Sequence, residues 1–219
     1  MYDRHVPRLI DHDERDAVIA AAAWRVLARD GLPGFSVRRV AEEAGLATAS
    51  LRRAFPTQVA LRTYCLRLVG ERVQARMDAV TVDPAVDPRA FVLACLAELL
   101  PLDADRRSET EVWLTLGSLA LTDPDARAAH AETERALARA CRSLLALLTP
   151  EADPDELDTA ARRLHALVDG LALHLVHAPP TADTGWALET LESAVPTAAP
   201  SSDRPGPHDG GRPAAGPAR

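Results

Sequence analysis

Residues 36–55 read SVRRVAEEAGLATASLRRAF. Ser36 is a good helix N-cap, and Val40, Ala41 and Ala44 recur on one face of a short helix to residue 44. Gly45 supplies a tight turn. Leu46 and Leu51 then form the inner face of the turn and of a second short helix over 47–54. Small Ala41 lets the two helices cross closely. This is a helix-turn-helix pattern, in which the second helix lies in the DNA major groove with its N-terminal residues toward base edges.

The outward residues suit that role. Thr48 and Ser50 are small hydrogen-bonding groups, and Ala47 and Ala49 carry methyl groups that fit a thymine methyl. Arg38 and Arg39 project from the first helix, and Arg52 and Arg53 from the second. Arginine forks match both guanine edges and phosphates. Ser36 and Thr57 stand at helix N-termini, where backbone N–H groups favour a phosphate. Taken alone, the four arginines read equally well as a solvated face; the surrounding pattern favours DNA.

Working outward, a stripe of Val18, Ile19, Ala22, Ala23, Val26 and Leu27 predicts a helix over 14–29, stopped by Gly31, Pro33 and Gly34. Phe55-Pro56 breaks the recognition helix, and Thr57 caps a long helix to about residue 79. Further helices are expected from about residue 91 to 100 and over 109–121, 123–148, 155–177 and 183–195, with 101–107 as a loop. No segment alternates like a half-buried strand. The expected fold is all-α, with about nine helices. Its parts are a flexible arm at 1–12, a DNA-binding unit at 13–60, a helical body at 61–195 and a disordered tail at 196–219, rich in Pro, Gly, Ala and Ser.

Composition agrees. The 219 residues are 47% hydrophobic and 26% charged, a globular balance. Aromatics are 4%, so the core must be built from Ala, Leu and Val. The formal net charge of −7 is unevenly spread: residues 1–79 carry 13 Arg against 10 acids, and residues 80–219 carry 12 against 22. All 25 basic residues are arginine. A basic front on an acidic body suggests that one segment meets an anion. The opening residues hold no secretory signal core and no run approaches a membrane span, so a cytoplasmic protein without a membrane partner is expected. Three widely spaced cysteines, Cys65, Cys95 and Cys141, read as small buried hydrophobes.

The stretch from Arg15 to Leu61 resembles the DNA-binding domain of the TetR/AcrR family of bacterial transcriptional regulators. The resemblance rests on Arg15, Ile19, Ala22, Gly31, Ser36-Val37, Val40-Ala41, Ala44-Gly45-Leu46, Ser50-Leu51, Phe55 and Leu61. It implies a base contact from Arg38 and groove-facing Thr48, Ala49 and Ser50. Arg52 stands where the family usually has a phosphate-binding Tyr, and Gln58 where it usually has Lys; Ala47 replaces a common Ser or Thr cap. The resemblance also implies a homodimer on a near-palindromic operator, joined by the last two long helices and released by an unknown small-molecule effector. Repression is the expected sign.

Candidates in the body follow. Phe91, Cys95, Trp113, Leu116, His165 and Asp169 are expected at an effector pocket. The scarcity of aromatics offers little wall for a large flat cation. Leu164, Val168, Leu171 and Leu175, with Trp186, Leu188 and Leu191, are expected at the dimer interface, with Gly170 and Ala172 allowing close helix approach. His165 and Asp169, like His174 and His177, lie one helical turn apart. Without an HExxH motif or a nearby Cys, packing is expected there rather than a metal, and no cofactor is expected. No nucleophile or phosphate-loop motif appears, so no catalytic residue is assigned. The alternatives are an all-helical enzyme or ligand carrier whose helix-turn-helix only packs, or a DNA-binding protein without an effector.

Overall fold

The computed structural model describes residues 12–197, with side chains from residue 15 onward. All but the last residue of the expected arm, and nearly all of the expected tail, lie outside the described residues; His12, expected in the arm, opens α1. Among those described, the chain forms α1 (His12–Gly34), α2 (Val37–Ala44), α3 (Thr48–Ala54), α4 (Gln58–Asp78), α5 (Pro88–Ala97), α6 (Ala104–Gly117), α7 (Pro124–Leu148), α8 (Pro154–His177) and α9 (Gly185–Ala194). A 3₁₀ turn, Ser118–Leu121, links α6 to α7.

Most helix starts follow local chemistry. Asp87, Asp103, Asp123 and Asp153 each accept a backbone N–H of the first turn they precede. Pro88, Pro124 and Pro154 stand at the start of their helices, where a missing N–H costs nothing. Two expectations are corrected. Helix α1 continues to Gly34 through a kink at Gly31, whose φ is 62°. Helix α6 starts at Ala104 and not at 109, because Asp103 accepts the Arg106 N–H at 2.8 Å and also pairs with the Arg106 guanidinium.

Two cores result. The first joins α1–α4 to Val112 and Leu116 of α6. The second joins α5, α7, α8 and α9. Helix α6 also closes the far end of α8: Arg107 donates to the carbonyls of Leu175, Val176 and Ala178. Carbonyls of a last helical turn have no partner in a following turn, and Arg107 supplies one here beside the Ala178 N–H that already reaches Leu175. The four N-terminal helices therefore share α6 with the rest of the chain.

Candidate nucleic-acid interface and effector cavity

The turn between α2 and α3 is set by backbone chemistry. Gly45 adopts φ 66° and its N–H donates to the Glu42 carbonyl at 3.2 Å, while the Leu46 N–H reaches back to Ala41 at 2.9 Å. This is the Schellman pattern that ends a helix through a left-handed residue. A Cβ at residue 45 would meet nothing within 4 Å, so only the backbone demands glycine. Gly45→Ala should cost about 1–2 kcal/mol, the left-handed penalty for an L-residue. Urea unfolding would read this as a lower midpoint, with no cavity or clash to add to it.

Helix α3 is anchored by Leu51, which is fully buried, and by Phe55, whose ring lies 4.8 Å from that of Tyr64. The Tyr64 hydroxyl donates to the Asp16 carbonyl at 3.1 Å, tying α4 to α1. Helix α2 is held from outside as well. Glu43 accepts from Arg25 at 2.7 Å and from Arg29 at 2.8 Å, and these guanidiniums hold its carboxyl below the usual range.

With the inner face anchored, Arg38, Arg39, Ala47, Ala49, Arg52, Arg53, Thr57 and Gln58 are exposed. Ser36, Thr48 and Ser50 are half-buried. Among the described residues, Arg39, Arg52 and Arg53 have no carboxylate within ion-pair distance. Arg38 has only Glu42 at 3.4 Å. Three hydroxyls are already engaged as acceptors. Ser36 Oγ takes the Arg39 N–H, Thr57 Oγ1 takes the Ala60 N–H, and Ser50 Oγ takes Arg15 Nη2 at 3.0 Å. Each keeps its own O–H for a further acceptor. Arg15 was not singled out as a site residue, because its 35-residue separation from Ser50 carries no local signal.

A cavity of about 160 Å³ opens among α4, α6, α7 and α8. Val69, Val73, Met77, Leu137, Val168 and Ala172 give its apolar wall, and Trp113 and Asp169 join them. At one end Glu109, 4% exposed, lies 2.8 Å from Arg76 Nη1 and 3.4 Å from Arg72 Nη1. Arg76 and Arg106 also meet Glu98, at 3.0 and 3.2 Å. The Arg72 guanidinium stacks 3.8 Å over the Trp24 ring of α1. One charged chain thus runs from the cavity wall into the DNA-binding unit. Elsewhere on the wall burial pushes the Asp169 carboxyl up, and His165 Nε2 stands 3.3 Å from it.

The expected pocket set is only partly gathered here. Trp113 and Asp169 line the cavity, and His165 stands directly behind Asp169. Leu116 is instead in the first core, Cys95 is buried in the second, and Phe91 packs against that second core. The expected interface set also divides. Leu164, Val168, Leu171, Leu175 and Leu191 are consumed inside their own chain, while Trp186 and Leu188 are 43% and 40% exposed. Ala172 is buried on the cavity wall, whereas a Cβ at Gly170 would meet nothing within 4 Å. The apolar stripe of α8 carried no sign of which core it would fill.

All three cysteines are free and buried. Burial pushes the Cys65 thiol up to about 12 and that of Cys141 up to about 11, which removes them as thiolates at neutral pH. Among the described residues no helix is long and apolar enough to cross a membrane.

The comparisons with known proteins fall on both halves of the chain. Residues 19–64 match the model of bacterial regulatory proteins of the tetR family. Residues 88–200 match that of the BetI-type transcriptional repressor C-terminal region. The HTH-type transcriptional regulator PksA of Bacillus subtilis (strain 168) is 37% identical over 180 residues, covering 80% of this chain and 84% of PksA. A crystal structure of a transcriptional regulator from Rhodococcus sp. Rha1 superimposes with a TM-score of 0.70 at 28% identity, over 82% of this chain and 93% of that one. The multidrug binding protein EbrR, crystallised with malachite green, gives a TM-score of 0.60 at 29% identity, over 84% and 99% of the two chains. The matched proteins are regulators and binding proteins rather than enzymes. These matches run along most of the chain, which belongs to the TetR family of bacterial transcriptional regulators.

Proposed function

We propose that this regulator is a homodimeric repressor that grips a near-palindromic operator through α3 and lets go when a small molecule fills the cavity. The observation that carries the reading is the Glu109–Arg72–Trp24 chain, which joins the cavity wall to α1. A ligand that displaces Glu109 alters the support of Arg72, and through Trp24 the seat of α1 and of the helices packed on it. Two recognition helices must meet successive major-groove faces about one turn apart. A ligand favouring another spacing would lower operator affinity by population shift.

The cavity chemistry favours an effector with an apolar body and polar groups, since the wall combines Val, Leu, Met and Ala side chains with Glu109, Arg76 and Asp169. EbrR, similar in fold and 29% identical, is a multidrug binding protein crystallised with the organic molecule malachite green. The mapping of the DNA contacts is Arg38, Thr48, Ala49 and Ser50 toward bases, and Arg39, Arg52, Arg53, Thr57 and Gln58 toward phosphates, with Ser36 and Ala47 at the helix starts. The domain reading is a DNA-binding unit near 13–60 on a body near 61–195.

For the dimer, Leu173 of α8 and Trp186 and Leu188 of α9 supply exposed apolar surface, and Gly170 allows close approach. Leu188→Glu should convert the dimer to monomers in sedimentation velocity and weaken operator binding in parallel. A dimer of unchanged stability would move the interface elsewhere. Operator selection from random duplexes, followed by anisotropy with compounds that raise the melting temperature, tests the whole reading. Selected sites without two-fold symmetry, or compounds that bind without releasing DNA, would count against it.

A further inference from the structure

We propose that Glu134 of α7 and His165 and Asp169 of α8 form a binding site for a divalent transition-metal ion at one end of the cavity. The family assignment does not supply this site, and the sequence favoured packing over metal there. The reason is separation: Glu134 lies 31 positions before His165 and meets it only because α7 and α8 pack side by side.

The geometry is that of a ligand set. His165 Nε2 is 3.5 Å from a Glu134 oxygen and 3.3 Å from an Asp169 oxygen. The three donor atoms all lie within 4.8 Å of one another. Nitrogen and oxygen ligands about 2.0–2.2 Å from one tetrahedral zinc ion stand about 3.4 Å apart. The His165 nitrogen is buried and, among the described residues, hydrogen-bonds to nothing, although two carboxylate oxygens are beside it. A cation between the three groups would satisfy the nitrogen and offset the two carboxylate charges together.

The surroundings are ordered for the same end. His130, one turn before Glu134, places Nε2 3.5 Å from the other Glu134 oxygen. It is suited to orient that carboxylate, the usual task of a group behind a metal ligand. The His130 ring packs on Trp113 at 5.5 Å. It fits there because residue 117 is glycine; a Cβ would lie 3.0 Å from His130 Cε1. Asp169 and Thr133 belong to the cavity wall, so an ion has a way in. One imidazole with two carboxylates suits zinc or manganese rather than a soft, thiolate-seeking ion.

The test uses the full untagged chain, stripped with chelator and titrated with Zn²⁺ by calorimetry and with Co²⁺ by visible absorption. Expected are saturation near one ion per chain in the micromolar range, Co²⁺ ligand-field bands, and a higher melting temperature. His165→Ala and Asp169→Asn should each weaken binding at least about tenfold. The double substitution of exposed His174 and His177 by Ala should leave the titration unchanged. If His165→Ala fails to fold, as judged by circular dichroism, Asp169→Asn decides. No saturable uptake in the micromolar range, or uptake that survives in Asp169→Asn, overturns the site. The readout needs neither operator nor effector, so it stands apart from the release mechanism.

Discussion

Replacing Arg52 and Arg53 together by Ala should reduce operator affinity on the order of a thousandfold near 0.1 M salt. Both are exposed, and among the described residues neither has an acid within ion-pair distance, so their charge is available to DNA. In the proposed homodimer, two positions in each of two copies present four cations. Each phosphate contact contributes a slope of about −0.9 in log affinity against log salt. The variant should therefore show a salt slope shallower by between three and four as well as weaker binding. The two arginines also sit in the last turn of α3, where they favour the helix dipole by a few tenths of a kcal/mol each. Circular dichroism should consequently show an intact fold. Arg142→Ala, at an exposed pair with Asp158 on the body, is the matched control and should leave binding unchanged. Equal salt slopes for wild type and variant would remove these residues from the interface.

Glu109→Ala should separate stability from regulation. Glu109 is almost fully buried, and its carboxylate serves both Arg72 and Arg76. Removing one partner of a buried charge cluster costs about 3–5 kcal/mol when the others stay buried. Arg72 and Arg76 are partly exposed and Arg76 keeps Glu98, so the cost here should be about 2–3 kcal/mol. Denaturant unfolding would measure it. The regulatory effect is the sharper one. Arg72 would keep its stacking on Trp24 but lose its link to the cavity. Operator binding should persist while release by an effector weakens at least about tenfold, the scale of an ordinary coupling energy. Normal release from a folded Glu109→Ala protein would show that the signal travels by another path.

The recognition unit was readable because its signals are local. A cap at Ser36, a left-handed glycine at 45 and buried Val40, Ala41 and Leu51 occupy sixteen consecutive positions. Their spacing alone places Arg52 and Arg53 outward. The α6 start was misplaced by five residues because Asp103 acts as a cap within a stretch that Pro101 makes look like a loop. The pocket residues were harder. Phe91, Cys95 and Leu116 have the same apolar character as Trp113, and only helix rotation decides which of them faces a void. Similarly, Leu164 and Leu188 are indistinguishable as letters, yet one is core and the other surface.

Helix N-caps, glycine turns and the 3.6-residue period act within a few positions, so they were sufficient for an all-helical chain with a DNA-reading front. Polar partners across helices obey no such period. Glu109 with Arg72, Arg15 with Ser50, and Glu134 with His165 are 37, 35 and 31 positions apart, and each pair exists only once the helices have packed. The cavity and its charged wall groups came from that packing, because a void belongs to the spaces between helices and not to any residue that lines them.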